Sequence, residues 1–242
     1  MSDSSRQLVI RFQELTTVPD WVWERIDLEF LCLSDNKLTA IPEKISRLSN
    51  LTALDIAHNA LRGIPDAIGD LPRLSNYLYL ADNQLTEFPA AVTRLVKLRY
   101  LGITHNRIEK LPDSIGALGG LMEFRAYNNL LATLPASIGE LTLLRELHLS
   151  DNTLKALPDS IGRLGELRIL DLRNNNIDAL PASIGDLHNL LYLDLRANRL
   201  TTLPDTLGEL PRLQKLDLRW THMGRPPSCV AHLEQRGCVV LR

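Results

Sequence analysis

The chain has little cysteine, few aromatic residues and no long apolar run. Its 242 residues include 3 cysteines, and its 3 Trp, 5 Tyr and 4 Phe give 12 aromatic residues. No stretch reaches the roughly 18 apolar residues that a membrane-spanning helix needs, so no such helix is predicted. A formal net charge of −2 argues against a general nucleic-acid or membrane-binding surface.

The scarcity of cysteine also bears on location. Cys32, Cys229 and Cys238 do not form the dense disulfide framework of small secreted domains, and the leading MSDSSRQ has no apolar signal segment. A reducing, cytoplasmic location is the simplest expectation. Cys229 and Cys238 lie close to the C-terminal end, and the sequence is compatible both with a disulfide between them and with two free thiols.

Asparagine is what the chain repeats most regularly. Six of the seven intervals between in-phase asparagines are 23 residues and one is 24. These asparagines are Asn36, Asn59, Asn83, Asn106, Asn129, Asn152, Asn175 and Asn198. A fixed step of this length indicates a solenoid built from one stacked unit. Function is therefore expected on an extended surface.

Other residues keep the same phase. Leucines or their substitutes lie 5 and 3 residues before each Asn and 2 after it, and a proline follows 6 after it. A leucine also lies 8 residues before every one of them except Asn83, whose repeat is one residue longer. The pattern LPxxIGxL recurs at Leu111–Leu118, Leu134–Leu141, Leu157–Leu164 and Leu180–Leu187. The chain thus resembles the leucine-rich repeat family, in the 23-residue intracellular class found in Ras-group scaffold proteins and in bacterial proteins.

The resemblance implies an α/β repeat fold, a horseshoe with a parallel inner β-sheet and a convex side of short helical or 3-10 turns. The repeat frame predicts a short lead over residues 1–7 and a single solenoid domain over 8–242. That domain holds about ten repeats and a closing strand, in which Val239 and Leu241 take the inward positions. The additional residue in Leu74–Leu78 predicts a bulge at Ser75–Tyr77.

Each in-phase residue type has a physical role. The Asn amide can bond backbone groups inside the coil, and the proline fixes φ where the convex segment begins. Glycines after the convex isoleucine are expected at a turn end or tight bend. Trp21 and Trp23 are interpreted as a cover for the open N-terminal end, in preference to a second binding site.

Strand alternation places a defined set of residues on the concave face. All five tyrosines fall in this set, together with Phe12, Phe30 and Trp220. Two interpretations stay open: anchors of a protein interface, or rings that stack across strands and stabilise the sheet. The candidate partner-binding residues on this face are Tyr77, Tyr79, Tyr100, Arg125, Tyr127, His148, Arg173, Tyr192, Arg196, Arg219 and Trp220.

The C-terminal third carries an aspartate column beside an arginine column. Asp171, Asp194 and Asp217 precede Arg173, Arg196 and Arg219 by two residues each, and Val240 and Arg242 would continue the two columns. The columns form either a surface lattice that neutralises itself or a docking strip for a charged partner.

The sequence offers no recognisable catalytic or metal set. Successive members of the set His58, His105 and His148 lie two repeats apart, which is about 10 Å at the usual strand spacing. This distance is too long for these histidines to share one zinc ion. No phosphate-binding loop, nucleophile elbow or zinc-protease motif occurs. The chain is therefore predicted to be non-enzymatic, with no cofactor and no metal.

Three function classes remain. The favoured one is a monomeric module that binds a protein partner on its concave face, as a scaffold or signalling adaptor. The second is a targeting or regulatory subunit of a separate kinase, GTPase or ubiquitin ligase, or a bacterial effector that is injected into a host cell and acts on its proteins. The third is an enzyme in its own right, for which a perturbed ionisable cluster in a cleft would be needed.

Overall fold

Short parallel strands stack in chain order to form one curved sheet. The computed structural model describes residues 6–224 and 227–242, and within them eleven strands form a single sheet in sequential order. The strands are β1 (Gln7–Val9), β2 (Phe30–Cys32), β3 (Ala53–Asp55), β4 (Tyr77–Tyr79), β5 (Tyr100–Gly102), β6 (Glu123–Arg125), β7 (Glu146–His148), β8 (Ile169–Asp171), β9 (Tyr192–Asp194), β10 (Lys215–Asp217) and β11 (Val239–Leu241). The predicted horseshoe solenoid is confirmed.

Register follows from the apolar pattern. The central residue of each strand points into the coil, so Leu54 pairs with Leu78 and Leu101 pairs with Phe124. These side chains are buried, and so is Ala126, which accompanies the larger Phe124. Because a one-residue slip would turn this column outward, burial fixes the register.

The convex side consists of 3-10 helices, as predicted. Nine five-residue 3-10 helices occur in the described ranges, and a proline precedes each. They are Asp20–Glu24, Glu43–Arg47, Asp66–Asp70, Ala90–Arg94, Asp113–Ala117, Ala136–Glu140, Asp159–Arg163, Ala182–Asp186 and Asp205–Glu209. The next convex segment is an α-helix, α1 (Ser228–Gln235).

The convex glycines have a more specific cause than a turn end. A Cβ on Gly139 would lie 2.3 Å from the Ser160 carbonyl oxygen of the next repeat, and one on Gly162 would lie 2.5 Å from the Ser183 oxygen. Glycine therefore lets neighbouring convex turns approach closely.

The asparagine ladder connects the repeats from inside. The Asn152 amide donates to the carbonyls of Ala126, Leu149 and Ser150 at 3.0 to 3.2 Å, and its oxygen accepts from the Leu131 N–H at 2.9 Å. One buried side chain thus satisfies four backbone groups of two repeats.

The 24-residue repeat takes up its additional residue just before β4. The N–H groups of Ser75 and Asn76 both donate to the Thr52 carbonyl, and their own carbonyls accept separately from Arg99 and Tyr100. In the following repeat, one carbonyl, that of Arg99, accepts from both N–H groups. The irregularity lies within the predicted range, and β4 itself pairs in register.

Of the two tryptophans expected to cover the N-terminal end, one is buried and the other is exposed. Trp23 is buried beneath the first repeat, whereas Trp21 leaves 49% of its surface exposed and covers little. The predicted lead falls mainly on residues 1–5, outside the described residues, and β1 begins at Gln7. The domain boundaries remain a prediction.

The prediction for the C-terminal strand was wrong by one residue. Val240, not Val239, aligns with Leu216 and packs against the core, and Val239 is exposed. The helix α1 is longer than a 3-10 turn: β11 starts 12 residues after Pro227, whereas β10 starts 11 after Pro204.

This shift removes the C-terminal members of the two charged columns. Leu241, not Val240, continues the aspartate column. Arg242 leaves the arginine column and pairs with Glu234 of α1. Cys229 and Cys238 are buried free thiols, so the disulfide alternative is not realised.

Candidate functional site

The concave face displays every predicted site residue. Strand residues on either side of the buried central leucine point outward, and the chain leaving each strand adds a rim. Six candidates lie in strands: Tyr77, Tyr79, Tyr100, Arg125, His148 and Tyr192. The other five follow the strand ends: Tyr127, Arg173, Arg196, Arg219 and Trp220.

The middle of this face holds a continuous aromatic cluster. Tyr77 and Tyr79 have ring centroids 4.8 Å apart, and Tyr79 meets Tyr100 edge-on at 4.8 Å. Phe30 extends the row toward the N-terminal end, 6.0 Å from Tyr77. Gly102 lies beneath Tyr79 and Tyr100, where a Cβ would approach both rings to 3.1–3.3 Å. A side chain at this position would therefore push against both rings, and glycine gives them room to lie close to the strand.

A cation and a further tyrosine complete this cluster. The Arg125 guanidinium lies 5.6 Å from the Tyr100 ring centroid and pairs with Glu123 at 2.5 Å. Tyr127 packs edge-on against His105 at 5.3 Å. We call Tyr77, Tyr79, Tyr100, Arg125 and Tyr127 the aromatic patch. All of its members except Tyr77 line a shallow hollow of about 250 Å³, together with Ala81, Gly102 and Thr104.

Three tyrosines of the patch, Tyr77, Tyr79 and Tyr100, are neutral hydrogen-bonding groups. Burial raises the pKa of Tyr100 well above its ordinary value, although the charge of Arg125 acts in the opposite direction. Burial also raises the pKa of Tyr77 and of Tyr79. Their hydroxyls therefore keep their protons at physiological pH and can donate hydrogen bonds to a bound group.

The C-terminal third carries ion pairs instead of stacked rings. Arg219 donates to Asp217 at 2.7 Å, and Arg196 lies between Asp194 and Asp217, 3.4 Å from the latter. The Asp217 carboxylate is almost fully buried. We call Asp171, Arg173, Asp194, Arg196, Asp217 and Arg219 the charged strip. Its geometry is that of a self-neutralising lattice, and docking of a charged partner stays a prediction.

The side chain of Arg173 pairs with a different aspartate from the one expected. Arg173 contacts Asp151 of the preceding repeat at 3.4 Å and reaches Asp171 only through its backbone N–H. A shallow depression of about 220 Å³ lies beside Asp171, between His148, Tyr192 and Lys215.

A column of left-handed residues borders the concave face and was missed in the sequence. From Phe12 to Trp220 the residue before each Asn position has φ between 51 and 60°. Asp, Asn and His occupy most of these positions, and they tolerate this conformation best. Because these residue types recur at this position, the left-handed conformation could have been predicted from the sequence. Trp220 is an exception: it is 70% exposed, and Arg219 lies 5.4 Å from its ring centroid.

Three potential metal ligands also meet on the concave face, which the histidine spacing alone did not indicate. Glu123, Glu146 and His148 place one ligand atom each within 4.8 Å of the others. Arg125 already holds Glu123, and His148 lies 3.1 Å from Glu146. An ion would have to displace Arg125, so we assign no metal to this cluster.

Family models match most of the chain. A model described as leucine rich repeat matches residues 26–85, and one described as leucine-rich repeat region matches residues 76–153 and 136–235. No curated protein matches the chain in sequence. Within the described ranges, no helix combines the length and the apolar character needed to cross a membrane.

Solved structures give the same architecture. The PEPR1–AtPEP1 structure is 30% identical with a TM-score of 0.81, and 99% of this chain aligns to 35% of that one. The plant peptide hormone receptor RGFR1 in complex with RGF2 is 29% identical with a TM-score of 0.73, covering 97% of this chain and 46% of the receptor. The chain thus spans less than half of either protein.

A bacterial structure of similar length shares the fold alone. This leucine-rich repeat protein of Leptospira interrogans is 22% identical with a TM-score of 0.52, and the alignment covers 97% of this chain and 95% of that one. Repeat spacing, sheet topology and the family models agree, and the chain belongs to the leucine-rich repeat family.

Proposed function

We propose that this chain is a non-enzymatic protein-interaction module of the scaffold or adaptor type, and that its concave face binds a protein partner in the cytoplasm. The observation that carries the proposal is the aromatic patch. Three tyrosine rings there stack in a row and remain partly exposed, and Gly102 lies beneath two of them. Aromatic residues with a polar tip are the preferred anchors of protein interfaces.

The patch is suited to binding because it is already ordered. Tyr79 and Tyr100 support each other, and Arg125 is fixed between Glu123 and the Tyr100 ring. Binding therefore orders few additional side chains, which limits its entropy cost. The stacking expected of a purely stabilising role is also present, so this role and binding must be separated by experiment.

The family and its structural neighbours support protein binding in general. RGFR1 was solved in complex with RGF2, and the family is one of interaction modules. The partner of this chain is not given by that likeness, since a fold does not determine its ligand. The residues we assign to binding are those of the aromatic patch, and a contact at His148, Tyr192 or Trp220 stays a prediction from the sequence.

Affinity capture from native cell extract, with two matched triple variants, tests the proposal. One variant combines Tyr79→Ala, Tyr100→Ala and Tyr127→Ala in the patch. The other combines Arg173→Gln, Arg196→Gln and Arg219→Gln in the charged strip. Circular dichroism and thermal unfolding establish that both variants fold. We expect a protein that is captured by wild type and the strip variant and lost with the patch variant. Equal capture by all three would refute the patch as the binding site.

A further inference from the structure

The two rims of the sheet differ in charge. Each repeat enters its strand through Leu-x-x-Leu-x, and in the five repeats entering β4 to β8 the x positions carry five cations and one anion, a net +4. These residues are Arg73, Lys97, Arg99, Arg145 and Arg168, with Glu166. We call the five cations the basic rim.

The opposite rim of the same repeats is balanced. There the chain leaves the Asn through x-Leu-x-x, and the x positions carry three cations and three anions, a net charge of zero. They are Arg107, Lys110 and Lys155 with Glu87, Glu109 and Asp178. For a chain of net charge −2, the excess of positive charge on one rim is a local feature.

The five cations of the basic rim are exposed and unpaired. All five are solvent-exposed, and none has an ion-pair partner within 4.0 Å in the part of the chain that the structure describes. Arg145 and Arg168 precede adjacent strands, about 4.8 Å apart in backbone position. Neighbouring like charges without a counter-ion repel, so an anion bound between them would be favourable.

Of the acidic residues around the basic rim, Glu166 lies on the rim itself and leaves it a net +4, and two others are engaged elsewhere. Glu123 pairs with Arg125, and Glu146 pairs with His148, both toward the concave side. Arg94, at the end of a convex helix, pairs with Asp70. The rim therefore keeps its positive potential.

We propose that the basic rim binds an acidic segment of a protein partner, alongside the aromatic patch. Arg99 directly precedes Tyr100, so one partner can contact both surfaces. From β4 to β8 the rim spans about 19 Å, which an extended segment of about six residues matches. Asp and Glu carboxylates fit the planar guanidinium of arginine. This proposal rests on the proposed function, because it names the chemistry of that partner.

A protein segment fits better than a nucleic acid. The cations occupy one short rim, the net charge of the chain is negative, and the family supports protein binding. The experiment that tests the proposal therefore also measures binding of a nucleic acid.

The experiment measures direct binding of defined peptides by fluorescence anisotropy at low ionic strength. The probe is a fluorescein-labelled octapeptide that alternates Glu and Ser, and the control peptide, with the same label, alternates Gln and Ser. The first variant changes Arg73, Lys97, Arg99, Arg145 and Arg168 to Gln. The matched control changes the three opposite-rim cations to Gln, together with Arg62 and Arg199 at equivalent positions of the two flanking repeats. Both variants lose five positive charges, so net charge is held equal between them.

We expect the basic-rim variant to lose at least about tenfold in affinity for the acidic peptide, and the control variant less than about twofold, because the contacts are local. Equal losses, or no binding of the acidic peptide to wild type, would overturn the proposal. Tighter, rim-dependent binding of an eight-residue oligothymidylate would assign the rim to nucleic acid instead. Because the peptide assay needs no native partner, failure here is distinguishable from failure of the capture experiment.

Discussion

The aromatic patch and the charged strip lie on the same sheet and differ in how their side chains are satisfied. In the strip, each carboxylate of Asp194 and Asp217 already accepts from an arginine. In the patch, Tyr79 and Tyr100 pack edge-on against each other, and both rings stay partly exposed. One backbone scaffold thus supports a self-contained ionic lattice and an open adhesive surface, depending only on which residues occupy the outward positions.

This difference between the strip and the patch determines which existing interactions a bound partner would have to replace. Arg196 pairs with both Asp194 and Asp217. A partner that binds the Arg196 guanidinium must therefore replace two ion pairs. A partner that covers the exposed part of the Tyr100 ring breaks no ion pair, because Arg125 keeps Glu123 as its partner. Surface ion pairs contribute about 0–1 kcal/mol, so the lattice is a modest stabiliser and a poor place to gain affinity.

The largest expected effect comes from the scaffold that both regions share. Asn129 lies under the patch and Asn175 under the strip, each with an oxygen accepting one backbone N–H at 3.0 Å. Asn129→Ala and Asn175→Ala should each cost about 3 kcal/mol of unfolding free energy, because buried backbone groups lose their partners. Urea unfolding of both variants checks this. Asn176→Ala, beside Asn175, is the control and should be nearly neutral. Unequal losses would mean that the two regions do not share one scaffold.

The next effect is specific to the strip and depends on pH. Burial alone would raise the pKa of Asp217, but hydrogen bonds from Arg219 and the charges of Arg196 and Arg219 lower it overall. Its carboxylate therefore stabilises the fold above about pH 4, the ordinary aspartate value, and that contribution is lost as pH falls through the lowered pKa.

Asp217→Asn should accordingly cost about 2 kcal/mol at neutral pH, somewhat less than removal of a partner from a fully buried pair. The difference from wild type should shrink as urea unfolding is repeated at decreasing pH below about 4. A difference that stays constant with pH would contradict the ionic account of the strip.

The smallest effect is expected in the patch. Tyr100→Ala should cost about 1–2 kcal/mol of unfolding free energy, since an aromatic pair contributes about 0.5–1.5 kcal/mol beyond the area that it buries. Tyr100→Phe keeps the ring and should be close to neutral. Thermal unfolding of the two variants measures both. A loss in Tyr100→Ala as large as that in Asn129→Ala would make the patch a structural element and remove the contrast with the strip.

Much of the fold could be predicted because a repeated spacing carries it. The 23-residue step of Asn and Pro located the strands and convex turns, and strand alternation placed Tyr79 and Tyr100 on the concave face. The phase of β11 could not be obtained in this way, because α1 inserts one more residue than a 3-10 turn. A fixed repeat spacing predicts the position of a strand only while the connecting segments keep the same length.

Details of the candidate site depend on side-chain conformation, which spacing does not determine. Arg173 reaches Asp151 in the neighbouring repeat, although Asp171 is nearer in sequence. The meeting of Glu123 with Glu146 and His148 likewise follows from register between two strands. The aromatic cluster was anticipated, but its support by Gly102 became visible only in the structure.

Site-specific photo-crosslinking tests the central claim most directly. Benzoylphenylalanine replaces Tyr127 in the patch or Tyr192 beside the strip, so each variant exchanges one aromatic residue for another. After irradiation in native extract, the crosslinked partner is identified by mass spectrometry. Our account predicts a partner crosslinked at position 127 and little or none at 192. Efficient crosslinking at 192 with none at 127 would contradict it and move recognition to the charged strip.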